Sequence, residues 1–181
     1  IGEVHDGTAV TDWMEQERRL HQHKLNAVRA FSRANGLDQT IIEPDVPKLG
    51  IVTAGKSYLD TRQAMEELGI TEEMAATIGI RLYKVGMPWP LEPEGAAAFA
   101  DGVEEILVIE EKRALIESQL KEQLYHANPA NQPRIVGKFD ETGAWMLPSA
   151  GELNPTLIAR VIAGRIARFH ASATIEDRLK V

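Results

Sequence analysis

The stretch Leu49-Gly50-Ile51-Val52-Thr53-Ala54-Gly55-Lys56-Ser57 decides how this 181-residue chain folds. Residues 49–54 are apolar or β-branched and run directly into a glycine, a pattern typical of a buried strand that ends in a turn. The same order of apolar run, turn and helical stretch recurs along the chain and predicts further strands at residues 80–85, 106–109 and 134–139. Continuous apolar strands separated by helices indicate an α/β domain with a mostly parallel sheet covered on both faces.

Helical periodicity fills the segments between these strands. The predicted helices cover residues 59–68, 71–78, 96–100 and 111–125, and a closing helix starts at Asn154 and Pro155 as N-cap and first residue. Near the N terminus a long amphipathic helix is predicted to begin at Asp12, its capping residue, and to end at Asn35. A short β-branched run at residues 39–43 follows it and is predicted to be a strand.

Composition excludes several classes of function. The chain carries 27 acidic and 20 basic residues, a net charge of −7, so nucleic acid is not an expected partner. It contains no cysteine, which excludes disulfides, thiolate zinc sites and iron–sulfur ligation within this sequence. His21 and His23 would point to opposite faces of the predicted helix, so no metal site is predicted. No apolar run approaches the roughly 18 residues of a membrane span, and a cytoplasmic location is expected.

The segment from Gly50 to Ser57 also matches the phosphate-loop pattern of nucleotide-binding proteins. A true phosphate loop follows a buried strand and curls so that its backbone amides face the phosphates. Here Ile51, Val52 and Thr53 are β-branched and favour extended backbone, so the residues between the two glycines are predicted to be the strand itself. An autonomous nucleotide-binding enzyme that uses this motif is the alternative interpretation.

Two sets of residues are predicted to lie at the carboxyl ends of neighbouring strands. Gly55-Lys56-Ser57-Tyr58 follows one strand, and Glu110-Glu111 follows another. In open α/β sheets such ends line the ligand crevice. The simpler interpretation is a glycine turn, a serine N-cap, and acids that favour the positive end of a helix.

The segment Met87-Pro88-Trp89-Pro90 places a large aromatic side chain in a stiff loop. Exposed aromatic residues mark partner surfaces, so Trp89 is predicted to lie at an interface, together with Glu110 and Glu111. No Gly-x-Ser-x-Gly elbow and no Gly-x-Gly-x-x-Gly fingerprint is present, and no catalytic residue is assigned.

Residues 49–58, 81–90, 104–113 and 134–140, extended by Leu147-Pro-Ser-Ala-Gly-Glu-Leu153, resemble the indolepyruvate ferredoxin oxidoreductases of the 2-oxoacid:ferredoxin oxidoreductase family. The likeness covers roughly residues 48–165. It implies the middle domain of such an enzyme, similar to the transketolase C-terminal domain. That domain has a five-stranded sheet between helical layers with one antiparallel strand, which we assign to residues 39–43.

The resemblance implies a parent that decarboxylates aryl 2-oxoacids on thiamine diphosphate and magnesium, passes electrons through iron–sulfur clusters to ferredoxin, and transfers the acyl group to coenzyme A. The family's Gly-Asp-Gly diphosphate motif and cluster cysteines are absent from this sequence. The expected role is therefore a noncatalytic structural or interface domain that holds no cofactor. The one ligand contact expected is with coenzyme A, or with another occupant of the crevice, at Gly55, Lys56, Ser57 and Tyr58.

The partners implied by the resemblance are other domains of the same chain and, through the parent, ferredoxin and a partner subunit. Residues 1–181 are expected to form a single domain, with a helix and connecting strand in residues 1–47 and the α/β core in residues 48–170. Because the chain begins at Ile1 and ends at Val181 in mid-pattern, we expect it to be cut from a longer protein.

Overall fold

A computed structural model describes residues 13–126 and 132–180, and within these residues five strands form one sheet. The strands are β1 (Gln39–Ile42), β2 (Leu49–Ala54), β3 (Ile80–Val85), β4 (Glu105–Ile109) and β5 (Arg134–Val136). Their order is β1-β3-β2-β4-β5; β2 pairs in parallel with β3 and β4, β4 pairs in parallel with β5, and β1 runs antiparallel to β3. The predicted mostly parallel sheet, with its antiparallel strand in residues 39–43, is confirmed.

Helices cover both faces of this sheet. They are α1 (Trp13–Arg19), a π-helical segment (Leu20–Lys24), α2 (Leu25–Ala34), α3 (Gly55–Glu67), α4 (Glu72–Ile78), α5 (Pro93–Ala100), α6 (Ile116–Leu124), α7 (Pro155–Ile166) and α8 (Ala173–Arg178). Asn154 caps α7 by accepting a hydrogen bond from the backbone N–H of Leu157, as predicted. In the described part of the chain, no helix combines the length and apolarity that crossing a bilayer requires.

The central strand β2 is buried on both sides because its side chains alternate between two apolar cores. Ile51 belongs to the core beneath α3, α4 and α7, whereas Val52 belongs to the core beneath α5 and α6. Removing a side chain of this size from water contributes about 1.5–3 kcal/mol. The two cores give the three-layer α/β/α architecture that the continuous apolar strands predicted.

The N-terminal helix is present but is bound to the domain mainly at its C-terminal turn. Arg33 donates to the Glu92 carboxylate at 2.8 Å, and Ser32 is buried. The apolar stripe faces solvent within the described structure: Trp13 is 78% exposed and Phe31 is 60% exposed. The predicted capping residue, Asp12, lies outside the described residues.

Three predicted boundaries are wrong, each for a local reason. Helix α3 starts at Gly55 rather than at residue 59, since Gly55 itself makes the turn out of β2 with a φ of +54°. Helix α6 starts at Ile116 rather than at residue 111, because residues 111–115 form a loop with Lys112 in the left-handed region at φ 55°. Strand β5 ends before residue 139, where the chain turns into a hairpin that pairs Phe139 with Trp145.

Candidate functional site at the carboxyl ends of the strands

A crevice of about 790 Å³ opens at the carboxyl ends of the central strands. It lies where the chain leaves β2 towards the α3 face of the sheet and leaves β4 towards the α6 face. Such a reversal is where open α/β sheets place their ligands. The crevice brings together six of the predicted residues: Gly55, Lys56, Ser57, Trp89, Glu110 and Glu111.

The phosphate-loop-like motif is a strand followed directly by a helix. Gly50 through Ala54 pair with β3 on one side, and all but Ala54 pair with β4 on the other. Gly50 is required for packing, because a Cβ at this position would lie 2.6 Å from the Phe99 ring. Since the residues between the glycines are extended and in register with neighbouring strands, they form no anion-binding loop.

Lys56 already has partners within the protein. Its ammonium group donates to the Asp60 carboxylate at 2.7 Å and to the Leu153 carbonyl at 3.1 Å. The carboxylates of Glu111 and Glu152 lie 3.7 and 3.8 Å away. The hydrogen bond to Asp60 is the main cause that raises the pKa of Lys56. A lysine so surrounded by acids offers little net positive charge to a phosphate.

Ser57 lines the crevice but is not the predicted N-cap, and Tyr58 does not line the crevice. The N-cap of α3 is Ala54 rather than Ser57, which is the third residue of the helix. Ser57 is buried, and its hydroxyl has no hydrogen-bond partner among the described residues. Tyr58 is not among the described residues that line the crevice; its hydroxyl accepts from Arg62 at 3.2 Å, and the Lys84 ammonium lies 4.9 Å from its ring centroid.

Glu110 is buried and holds the start of helix α6. Its carboxylate accepts hydrogen bonds from the backbone N–H groups of Leu115, Ile116 and Glu117, at 3.0, 2.8 and 3.0 Å. A carboxylate in this position satisfies free amides and interacts favourably with the helix dipole. The helix-terminus interpretation therefore applies to Glu110, whereas Glu111 is only partly buried at the crevice edge.

Trp89 and Leu115 give the crevice its exposed apolar surface. Trp89 is 56% exposed and Leu115 is 45% exposed. The loop that carries Trp89 is tied to α6, because the Gln119 amide donates to the Pro88 carbonyl at 2.8 Å and accepts from the Leu91 N–H at 2.8 Å. Large apolar side chains presented on a fixed loop are typical of protein contact surfaces.

Lys138 contributes to this end of the sheet and was missed by sequence reasoning. It is buried, and its ammonium group donates to the carbonyls of Glu110 at 2.6 Å and Pro148 at 3.2 Å. Burial lowers its pKa. Nothing in the local sequence distinguishes it from a surface lysine, because both acceptors are backbone atoms from distant segments.

The side chains of residues 13–126 and 132–180 include no group of three or more His, Cys, Asp or Glu placed to hold a metal ion. The exposed side chains that line the crevice include the apolar Trp89 and Leu115, the cations Lys56, Lys112 and Arg113, and the polar Ser118 and Glu122. Glu111 is partly exposed at its edge.

Comparisons with known proteins agree on one family. The model of the indolepyruvate oxidoreductase domain matches residues 39–181. The indolepyruvate oxidoreductase subunit IorA of Thermococcus kodakarensis is 31% identical over 122 residues, which are 66% of this chain and 18% of that protein. The chain thus spans about a fifth of the length of this relative.

Two solved structures resemble the fold. The 2-oxoglutarate:ferredoxin oxidoreductase from Magnetococcus marinus, a structure with 2-oxoglutarate, coenzyme A and succinyl-CoA bound, matches with a TM-score of 0.55 and 18% identity. The match covers 84% of this chain and 23% of that one. A split-gene transketolase, described as an inactive β4 tetramer, has a TM-score of 0.47 and 16% identity, over 74% of this chain and 42% of that one.

Proposed function

The chain belongs to the family of indolepyruvate oxidoreductase domains, and from this premise we propose that it is a noncatalytic structural and interface domain. Its parent would be a thiamine diphosphate-dependent enzyme that oxidatively decarboxylates aryl 2-oxoacids to acyl-CoA and reduces ferredoxin. A cytoplasmic location is part of this proposal.

The proposal depends above all on what the crevice presents. Its exposed side chains include the apolar Trp89 and Leu115, while the ammonium group of Lys56 is already hydrogen-bonded within the protein. This arrangement favours contact with another folded surface over capture of a free anion. Other domains of the same chain are the proposed occupants, because the IorA relative extends far beyond the 18% of its length that matches.

The parent's thiamine diphosphate and magnesium do not fit the crevice. A diphosphate needs converging amides and cations, but residues 50–54 are strand, Asp60, Glu111 and Glu152 surround Lys56, and Lys112 is hydrogen-bonded to the Gly151 carbonyl. Of the cations that line the crevice among the described residues, this leaves Arg113. Thiamine diphosphate, magnesium and the iron–sulfur clusters are therefore proposed to be held by other parts of the parent. Ferredoxin and a partner subunit would likewise be contacted through the parent.

Replacing Trp89 with Ala tests the interface. An exposed side chain contributes little to the stability of its own domain, so the free energy of unfolding of this chain should change by less than about 0.5 kcal/mol. In the longer polypeptide, W89A should weaken association between domains, as measured by limited proteolysis and size-exclusion chromatography. Trp145, 63% exposed in the hairpin with Phe139, supplies the matched control W145A. Equal effects of the two variants on assembly would argue against the crevice as the interface.

Isothermal titration of the chain with ATP and magnesium, thiamine diphosphate and coenzyme A tests the absence of a catalytic site. We expect no saturable heat with ATP or thiamine diphosphate. Saturable ATP binding that is lost in Lys56→Ala would instead support the nucleotide-binding alternative. Coenzyme A binding that is lost in the same variant would assign the contact to Gly55, Lys56 and their neighbours.

A further inference from the structure

The segment of residues 148–153, here called the strap, crosses the carboxyl end of the sheet beside the crevice. The apolar residues at its two ends are buried: Leu147, which precedes the strap, is 0% exposed, and Leu153, its last residue, is 2% exposed. Residues 149–152 between them are exposed, so apolar packing does not hold the middle of the strap in place.

Lysine side chains bind the strap through its backbone. The contacts run from Lys56 to the Leu153 carbonyl at 3.1 Å, from Lys112 to the Gly151 carbonyl, and from Lys138 to the Pro148 carbonyl at 3.2 Å. In a fourth contact the strap backbone is the donor: the Leu153 N–H donates to the Glu111 carboxylate at 3.3 Å. Hydrogen bonds to charged groups are stronger than those between neutral groups.

These lysines come from both sides of the crevice. Lys56 lies in the first turn of α3, after β2, whereas Lys112 and Glu111 lie in the loop after β4. The strap therefore links the two rims by side-chain contacts at its Gly151 and Leu153 backbone groups.

We propose that the strap is a releasable brace that fixes the width of the crevice, and that the exposed side chains of Lys56 and Lys112 hold it, one on each rim. Lys56, the lysine of the phosphate-loop-like motif, then binds the Leu153 carbonyl of its own chain instead of a phosphate. The Lys56 side chain is 48% exposed, so replacing it removes this contact with the strap without disrupting either apolar core. Without the Lys56 side chain, which also lies 3.7 Å from the Glu111 carboxylate, the β2–α3 rim moves independently of the β4–α6 loop. The brace is internal to this chain and acts whichever partner occupies the crevice.

Hydrogen–deuterium exchange of the strap tests this device in the protein. Lys56→Met should accelerate exchange of the Leu153 amide, whose N–H donates to the Glu111 carboxylate, by roughly tenfold, because local opening of the strap no longer breaks the charge-assisted hydrogen bond at the Leu153 carbonyl. Amides in β2 and β4 should keep their protection. Asp60→Asn, which removes the ion pair of Lys56 but keeps its bond to the strap, should leave strap exchange within about twofold of the wild type.

Lys121→Met is the matched control. Lys121 is 50% exposed and forms an ion pair with a residue four positions away, Glu117, but makes no hydrogen bond to the strap. Lys112→Met provides an independent test at Gly151 if Lys56→Met lowers global stability. Strap exchange that is unchanged in both Lys56→Met and Lys112→Met, or accelerated equally in Lys121→Met, would overturn the proposal.

Discussion

The two ends of the parallel strands use charged side chains in opposite ways. At the amino end, Arg165 donates twice to the Glu105 carboxylate, at 2.6 Å each, and both side chains are nearly excluded from solvent. At the carboxyl end, Lys56 and Lys112 bind backbone carbonyls from the surface. A buried pair is costly to break because each charge depends on the other, whereas a surface contact is exchangeable with water. The amino-end pair should therefore contribute more to stability than the exposed Lys56 and Lys112 of the carboxyl end, where Glu110 and Lys138 are also buried.

The largest expected effect comes from the amino end. Among the described residues, Arg165→Met leaves the buried Glu105 carboxylate with the partly exposed Arg134 as its one ion-pair partner, and should lower the free energy of unfolding by about 3–5 kcal/mol. Urea denaturation followed by circular dichroism measures the loss. The control is Arg134→Met, because Arg134 contacts the same carboxylate at 3.1 Å but is 49% exposed; its loss should be about 0–1 kcal/mol. Similar losses of unfolding free energy in Arg165→Met and Arg134→Met would contradict the distinction between buried and exposed charges.

A smaller effect is expected at Gly50, the first glycine of the phosphate-loop-like motif. The added Cβ of Gly50→Ala meets the Phe99 ring and should cost about 1–3 kcal/mol through overpacking. The second variant, Gly50→Ala with Phe99→Leu, should recover part of that loss relative to Phe99→Leu alone. Gly164→Ala, in the interior of helix α7 with open space around its Cβ, should instead be neutral or stabilising by about 0.5–1 kcal/mol. A Gly50→Ala variant as stable as the wild type would remove the packing explanation for this glycine.

The smallest effect is expected at Glu141, an exposed residue at the amino end that forms ion pairs with Arg165 and Arg168. A hydrogen bond from its own backbone and those from Arg165 and Arg168 lower the pKa of Glu141 to about 2, against an ordinary value of 4.5. A carboxyl whose pKa is depressed on folding stabilises the protein above its unfolded pKa, and this contribution is lost as the pH falls from about 4.5 towards 2. The stability difference between the wild type and Glu141→Gln should therefore shrink when urea midpoints are compared at pH 7, 4.5 and 3. A difference that stays constant over this range would contradict the assigned role.

Sequence reasoning predicted those elements whose cause is local. The β-branched run before Gly55 predicted β2, and Asn154 with Pro155 predicted the start of α7. The start of α6 could not be predicted in the same way, because Glu110 caps it from outside the helix across a five-residue loop. The exposure of Phe31 could likewise not be predicted from the sequence, because the apolar periodicity of a helix does not show whether another surface covers its apolar face.

For the candidate site, periodicity located the strand ends and with them Gly55, Lys56, Ser57, Glu110 and Glu111 among the residues that line the crevice. Their roles depended on partners remote in sequence. Lys56 reaches Leu153, 97 positions away, and Lys138 reaches Glu110, 28 positions away. Ser57 faces the interior of the protein, which a one-dimensional motif match does not report.

The sequence by itself determined the layered α/β fold and the family of this chain, because both are carried by short apolar runs, turns and local motifs. The tertiary structure alone decided what the charged side chains do, because their acceptors are backbone carbonyls and carboxylates that only folding brings within 3–4 Å. Whether a motif lysine faces a ligand or its own chain depends on that juxtaposition.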